Sequence, residues 1–260
     1  MGCQRRGTGL SSSRAMKALG IDIGGSAIKG APVDTKTGRL LAERHRIQVN
    51  RGMTPAATAK VVAQIAAHFR WRGPIGVGFP GVIEGARIRT SANLHPRFVG
   101  CDGAKLFRQA TRCRVTLIND AAAAALAEMR FGAGRRFRGK VLLLTLGTGV
   151  GTCLAAEGVV LPLELGHFPW KGGKDAEKYV SSGTREKKAL SWSEWGRRLH
   201  DFVAEMERLL WPELIIIGGG VSAKHEKYFK YLRPRARLVP ARLRNQAGIV
   251  GAAVRAAEAA

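Results

Sequence analysis

The chain has 260 residues, of which 45% are hydrophobic and 24% are charged, a balance that is typical of a folded globular protein and excludes wholesale disorder. No apolar run approaches the roughly 20 residues that a membrane-spanning helix needs, so we predict a soluble protein without membrane contact. The 43 Lys and Arg residues outnumber the 19 Asp and Glu residues, and the formal net charge of +24 favours an anionic ligand.

The basic residues are spread through segments that look folded, and they form neither a single tail nor a recognition helix. We therefore predict no nucleic-acid partner, and a polyanionic ligand is the simplest explanation of the charge. The cysteines at positions 3, 101, 113 and 153 lack the spacing of a metal or redox motif. Isolated thiols suit a reducing compartment, so the predicted location is the cytoplasm.

The first predicted lobe, residues 17–118, follows a leader of residues 1–16 that lacks the apolar stretch of a secretory signal and is expected to be flexible. Met16 is an alternative start that would remove this leader without loss to the fold. Alternating apolar residues predict strands joined by hairpin turns, and Thr54-Pro55 predicts the start of an amphipathic helix. The predicted strands of this lobe are 17–23, 27–33, 39–49, 75–79 and 115–118.

The second predicted lobe, residues 119–260, repeats the pattern of strands around a glycine turn. Ser191 and Glu194 have the spacing of a capping box and open a long helix that Pro212 ends. Ser222 is predicted to cap the next helix, and the last helix is predicted to pack back on the first lobe. The predicted strands are 141–146, 151–156, 159–161 and 214–217, and the last helix is 248–260.

Two glycine turns stand at equivalent points of the two lobes. In the first, Asp22 ends a strand and Gly24, Gly25 and Ser26 follow, so that backbone N–H groups and a hydroxyl can approach phosphate oxygens. The Asp22 carboxylate can hold Mg²⁺ there, directly or through water. The second turn, residues 147–151, has the pattern Gly-x-Gly-x-Gly. An ordinary hairpin explains one such turn, but two at equivalent points indicate a phosphate site, and no P-loop motif is present.

Asn119 and Asp120 stand where a strand meets an alanine-rich helix. The Asp120 carboxylate can accept the proton of an attacking hydroxyl; the alternative is that both residues only cap the helix. Further on, Glu164 and His167 lie three residues apart around Gly166, which suits two polar groups that converge on one small polyhydroxyl ligand. The alternative for His167 is a structural role, and a zinc site is disfavoured because no cysteine follows it.

These motifs, taken in order, resemble the sugar kinases of the ROK family over residues 17–256. Within that family, residues 27–34, 191–195 and 240–252 most resemble the members that phosphorylate glucose with inorganic polyphosphate. The segments that carry the family resemblance are 20–34, 78–81, 119–121, 146–151, 164–167 and 218–221.

The resemblance implies an α/β fold of the actin-like ATPase (ribonuclease H-like) class, with a sugar cleft between two lobes. It makes Asp120 the general base that deprotonates the sugar 6-hydroxyl. The implied sugar ligands are Asn119, Glu164, His167, Glu177, Asn93 and Gly81. The residues implied around the donor phosphate and Mg²⁺ are Asp22, Gly24, Gly25, Ser26, Lys29, Thr148, Gly149 and Gly219.

The resemblance leaves the phosphoryl donor open. Polyphosphate is favoured by the charge, whereas the glycines at 218–220 resemble a nucleotide-contacting turn and keep an ATP-dependent glucokinase or glucomannokinase as the alternative. A sugar-sensing regulator is a remote alternative, because only about sixteen residues precede the first strand and Asp120 is present. The cysteine-free segment 168–176 departs from the zinc-binding members, so no zinc is expected, and the resemblance implies a homodimer.

Overall fold

The computed structural model describes residues 17–50, 52–91 and 94–260, and its first lobe is built on a five-stranded sheet. The strand order is β3-β2-β1-β4-β7; β1 to β3 are antiparallel, and β4 lies parallel to both β1 and β7. The strands of this lobe are Lys17–Ile23 (β1), Ala27–Asp34 (β2), His45–Gln48 (β3), Ile75–Phe79 (β4), Ile83–Glu84 (β5), Arg87–Ile88 (β6) and Val115–Asn119 (β7), where β5 and β6 form a separate small hairpin.

Two helices, Pro55–His68 (α1) and Gly103–Thr111 (α2), pack on the outer face of this sheet. The Thr54 side chain accepts a hydrogen bond from the Ala57 N–H, and a proline occupies the first turn, so α1 begins where the sequence predicts. The buried side chains of α1 recur with helical spacing and meet the odd-numbered residues of β1. This apolar layer holds the first sheet on its outer side.

The second lobe repeats the same sheet order, β10-β9-β8-β11-β12, with the first three strands antiparallel and the last two parallel to β8 and to each other. Its elements are Asp120–Phe131 (α3), Val141–Leu146 (β8), Val150–Ala156 (β9), Val159–Leu163 (β10), Glu177–Val180 (α4), Ser182–Lys187 (α5), Trp192–Leu210 (α6), Leu214–Gly218 (β11), Arg237–Pro240 (β12) and Ala247–Glu258 (α7). The predicted capping box at Ser191 and Glu194 opens α6.

Helices α3 and α7 lie between the two sheets and share one apolar cluster with both of them. The last helix is in direct contact with β1, β4 and α3. Glycine makes this approach possible: a Cβ atom at Gly76 would overlap the carbonyl of Ala252, and one at Gly251 would overlap the carbonyl of Ala123. The layers therefore run from α1 and α2, through the first sheet, α3 and α7 and the second sheet, to α6.

Two predicted local features are wrong. The third strand covers only His45–Gln48, because the chain leaves β2 in a tight turn in which the Asp34 carboxylate accepts the Lys36 N–H and Gly38 has a φ of 73°. Ser222 does not cap a helix; its hydroxyl donates to the Gly219 carbonyl inside a 3₁₀ segment. No helix in the described part of the chain is long and apolar enough to cross a membrane.

Candidate active site

A cleft of about 460 Å³ opens where strands of both sheets end. Ligands of α/β sheets bind outside the carboxyl ends of the strands, and here the ends of β1, β4, β7, β8 and β11 all reach the cleft. Asn93 lies outside the described residues. Every other residue predicted for the site lines this cleft: Asp22, Gly24, Gly25, Ser26, Lys29, Gly81, Asn119, Asp120, Thr148, Gly149, Glu164, His167, Glu177 and Gly219.

The junction of β7 and α3 combines a helix cap with a carboxyl group in the cleft. Asn119 is the N-cap: its side-chain oxygen accepts the Ala122 N–H at 2.9 Å, and its amide nitrogen donates to the Gly81 carbonyl at 3.1 Å. Asp120 follows as the first helical residue, and one of its carboxyl oxygens accepts the Ala121 N–H at 2.8 Å. The capping role thus falls to Asn119, which leaves the Asp120 carboxyl in the cleft.

Burial raises the pKa of the Asp120 carboxyl to about 7, and the nearby carboxylates of Asp22 and Glu164 add to the rise. Its hydrogen bonds from backbone N–H groups oppose the shift only in part. A carboxyl group with a pKa near neutrality can take up and release a proton at the pH of the cell. Asp120 is therefore a candidate acid–base group in the cleft.

The first glycine turn brings an ion pair next to the same carboxyl. Asp22 faces Lys29 across β1 and β2, and the Lys29 ammonium donates to the Asp22 carboxylate at 3.2 Å. The Gly24 N–H donates to the Ala27 carbonyl, which closes the turn. A Cβ atom at Gly248 would come within 3.0 Å of the Asp22 carboxyl carbon, so the first turn of α7 also borders this group.

The second glycine turn is held by the start of α5. The Gly147 N–H donates to the Gly149 carbonyl at 3.0 Å, and the Gly183 N–H donates to the Gly147 carbonyl at 2.9 Å. A Cβ atom at Gly183 would lie 2.9 Å from the Thr148 carbonyl oxygen, so glycine is needed for this approach. The two glycine turns therefore face one cleft from opposite sheets.

The other side of the cleft is formed by three polar side chains, those of Glu164, His167 and Glu177. The nearest approach of His167 to Glu164 is 3.8 Å and to Asp175 is 3.5 Å, and the Glu177 carboxylate accepts the Val150 N–H at 3.4 Å. Burial raises the pKa of Glu164, which the nearby His167 opposes. The His167 side chain is 39% exposed, so a buried structural role does not describe it. Hydroxyl-rich ligands suit this mixture of donors and acceptors.

Among the described residues, one group of three places potential metal-ligand atoms within 4.8 Å of one another: His167, Asp175 and Glu177. Carboxylate oxygens predominate in this group, and cysteine sulfur is not part of it. Two of its three members, His167 and Glu177, are also among the predicted sugar ligands.

Sequence reasoning missed several residues that line the cleft, among them Arg46, Thr90, Thr145, Arg244 and Asn245. Arg46 lies within a predicted strand, but its position opposite Lys29 depends on the register between β2 and β3, which the sequence pattern did not predict. For the others, the sequence offered no signal, since they belong to loops and strand ends that approach the cleft only in the folded chain.

Comparison with known proteins gives consistent likenesses. The sequence profile of the ROK family matches residues 18–171. The chain is 42% identical over 242 residues to a polyphosphate glucokinase of Mycobacterium tuberculosis (strain CDC 1551 / Oshkosh), which covers 91% of this chain and 89% of that protein.

Solved structures agree with these sequence likenesses. The inorganic polyphosphate/ATP-glucomannokinase from Arthrobacter sp. strain KM has a TM-score of 0.90 and 42% identity, over 94% of this chain and 99% of that one. A ROK family glucokinase from Streptomyces griseus, crystallised with glucose and AMPPNP, has a TM-score of 0.77 and 22% identity, over 93% and 99% of the two chains. The predicted fold class, a two-lobed actin-like α/β fold, is confirmed.

Proposed function

The chain belongs to the ROK family, and from that premise we propose that it is a kinase that phosphorylates glucose, with inorganic polyphosphate or ATP as the phosphoryl donor. The observation that carries the chemistry is the Asp120 carboxyl, whose pKa is raised to about 7 in a cleft that two glycine turns also line. Such a group suits proton removal from an alcohol during phosphoryl transfer.

The side of the cleft formed by Glu164, His167 and Glu177 binds the sugar in this proposal. Carboxylates accept hydrogen bonds from sugar hydroxyls, and the imidazole can donate or accept. Asn119 keeps one amide hydrogen and one oxygen lone pair beyond its two hydrogen bonds to backbone groups, so it can still contact a hydroxyl. Asn93, outside the described residues, remains a predicted sugar ligand.

Asp120 acts as the general base on the sugar 6-hydroxyl. Its ionised form accepts the hydroxyl proton as the oxygen attacks the terminal phosphorus of the donor, and the leaving phosphate takes the electron pair of the broken P–O bond. Positioning supplies most of the remaining rate enhancement, because both reactants are held in one cleft. The Ala121 N–H fixes the carboxyl during this step.

The donor phosphates bind against the backbone N–H groups of the two glycine turns and the Ser26 hydroxyl. Mg²⁺ fits the Asp22 side of the cleft, because the negative charges of Asp22 and Asp120 repel each other there, and among the described residues Lys29 alone forms an ion pair with Asp22. Bound Mg²⁺ would neutralise charge on the donor phosphates. Asp22 would hold it, directly or through water.

The formal charge of +24 supports polyphosphate as the preferred donor. ATP requires positive charge only around three phosphates, whereas a long polyanion can use positive charge outside the cleft as well. Glycines 218–220, at and just after the end of β11, line the cleft and support ATP as a second donor.

A donor comparison tests this proposal. Purified protein with glucose and Mg²⁺ is given either polyphosphate or ATP, and glucose 6-phosphate is followed through a coupled dehydrogenase assay. We expect turnover with both donors and a higher kcat/KM with polyphosphate. Turnover with ATP alone would reject the donor preference, and no product with either donor would reject the kinase activity. Mannose in place of glucose measures the acceptor range.

The proposal includes a cytoplasmic homodimer. Cys101, Cys113 and Cys153 are free thiols, which suits a reducing compartment, and the family resemblance supports the dimer. Light scattering on the purified protein measures the oligomeric state directly, and a monomeric mass at micromolar concentration would contradict the dimer.

A further inference from the structure

We infer that Arg46 and Arg244, one from each lobe, bind the phosphates of the donor that lie beyond the transferred phosphoryl group, and that they favour polyphosphate over ATP. This inference rests on the proposed kinase activity. It concerns residues to which the sequence motifs give no role. Both side chains line the cleft, and both residues are exposed, so they stand at its solvent side.

Arg46 is the outermost member of a row of charges across the first sheet. Asp22 on β1 is opposite Lys29 on β2, and Lys29 is opposite Arg46 on β3. Residues that stand opposite each other on adjacent strands share a face of the sheet, so all three side chains belong to one face. That face is the one that meets α7, because Ala31 and Val33, which lie two and four residues after Lys29 and share its face of β2, belong to the central apolar cluster.

The charges in this row leave Arg46 free for a ligand. The Lys29 ammonium is paired with the Asp22 carboxylate at 3.2 Å, so these two charges largely offset each other. The Arg46 guanidinium has no hydrogen-bond or ion-pair partner in the described part of the chain. The row therefore leads from the predicted phosphate and Mg²⁺ position outward to an unpaired positive charge at the edge strand.

Arg244 lies next to an edge of the second sheet. It follows β12, the edge strand of the second sheet, and begins the short 3₁₀ turn that leads into α7. Its guanidinium likewise has no partner within the residues that the structure describes, and its φ of 49° lies in the left-handed region, which is unfavourable for arginine. Structure around it must hold this conformation.

Glu128 supplies that support. It is completely buried, and its carboxylate accepts the backbone N–H groups of Arg242 at 3.1 Å, Leu243 at 2.7 Å and Ala133 at 2.7 Å. The segment that carries Arg244 is therefore fixed to α3, the helix that begins with Asp120. The backbone just before Arg244 is thus held at the cleft by hydrogen bonds to a buried carboxylate.

The choice of donor follows from the number of phosphates that each donor offers. Apart from His167, the basic residues that line the cleft are Lys29, Arg46 and Arg244. Of these three, the two arginines have no side-chain partner within the described part of the chain. Guanidinium groups bind phosphate oxygens in a bidentate manner, and two of them on opposite sheets can grip successive phosphates of one chain. Long-chain polyphosphate offers a phosphate at every position beyond the transferred one, whereas ATP offers two and then a neutral ribose. Exposed arginines at the solvent side of the cleft can therefore contact more of the polyphosphate chain than of ATP.

The test uses the full chain with Arg46→Gln, Arg244→Gln and the double substitution. Initial rates are measured with tripolyphosphate, with long-chain polyphosphate and with ATP, at several salt concentrations. We expect the KM for long-chain polyphosphate to rise about tenfold in each single variant, and the ATP KM to rise at most about threefold. The slope of log KM against log salt for polyphosphate should fall by roughly one for each arginine removed.

Arg108→Gln on α2 and Arg197→Gln on α6 are matched controls, because both residues are exposed, carry the same charge and lie outside the cleft. Arg46→Lys and Arg244→Lys separate the charge from the guanidinium geometry. Equal increases for polyphosphate and ATP, or an increase of similar size in the control variants, would overturn the inference. Wild-type protein without kinase activity would instead overturn the proposed function, so the two failures are distinguishable.

Discussion

Replacement of Asp120 by Asn removes the proposed base with little change in shape. The amide keeps an oxygen that can accept the Ala121 N–H, so the start of α3 should persist. A positioned carboxylate base contributes about 10²- to 10⁴-fold to the rate, which is about 3 to 5 kcal/mol of barrier. We therefore expect kcat to fall at least a hundredfold, while the glucose affinity measured by calorimetry stays within about threefold of the wild-type value.

The pH dependence of the wild-type enzyme follows from the same group. The pKa of Asp120 is raised to about 7, and the ionised form is the active base. The value of kcat/KM should therefore rise about tenfold per pH unit below pH 6 and level off above pH 8. A flat profile between pH 5 and pH 8, or an Asp120→Asn variant that retains more than about one hundredth of the activity, would refute Asp120 as the base.

Replacement of Asp120 by Asn should stabilise the fold at pH 8, although the same substitution lowers the activity. The folded-state pKa of Asp120 is raised from 3.8 to about 7, so the neutral carboxyl stabilises the fold fully below pH 3.8. That contribution is lost as the pH rises towards and through 7, where ionisation in the buried site costs at most about 4 kcal/mol. Asn stays neutral, so the variant should have a higher Tm than wild type at pH 8 and a similar Tm near pH 4. An Asn variant less stable than wild type at pH 8 would contradict this electrostatic origin.

Three further predictions concern the sugar side, the central helices and the donor. Glu164→Gln should raise the glucose KM about tenfold. It should also move the acid limb of the kcat/KM profile to lower pH, because the Glu164 carboxylate helps to raise the pKa of Asp120. Glu226→Gln, a control at an exposed position, should change neither quantity. Gly251→Ala should lower the free energy of unfolding by several kcal/mol in a denaturant titration, since its Cβ atom would overlap the Ala123 carbonyl, and a loss below about 1 kcal/mol would show that the helices can separate without cost. The KM for polyphosphate should rise more steeply with salt than the KM for ATP, and equal slopes would remove the charge argument for the donor.

Local physical rules accounted for most of the elements. Thr54 and Ser191 have the side chains that satisfy helix N–H groups, and both open helices as predicted. Ser222, which comes shortly after three glycines, is predicted to cap a helix like Thr54 and Ser191. Its hydroxyl instead donates to the Gly219 carbonyl, because Gly219, with a φ of 80°, leads the chain into a 3₁₀ segment. The cap pattern alone does not distinguish a hydroxyl that accepts from one that donates.

The site was predictable where it depends on adjacent residues and unpredictable where it depends on the approach of distant ones. Asp22 and the glycines after it are contiguous, so their shared location follows from the hairpin. Arg244 lies far along the chain from Asp22, and only the packing of α7 and the buried Glu128 carboxylate bring its segment to the cleft. A buried glutamate on an alanine-rich helix gave no sign in the sequence of three backbone partners.

The position of α7 has a consequence for the order of folding during synthesis. This helix follows every other described element in chain order, yet it packs on β1 and β4 of the first sheet. Until α7 has left the ribosome, bare backbone at Gly20 and Gly76 faces no partner, and the first lobe lacks one of its two apolar layers. We expect the nascent first lobe to stay incompletely folded until α7 has emerged, so that β1 and β4 become protected from proteolysis only after this helix docks.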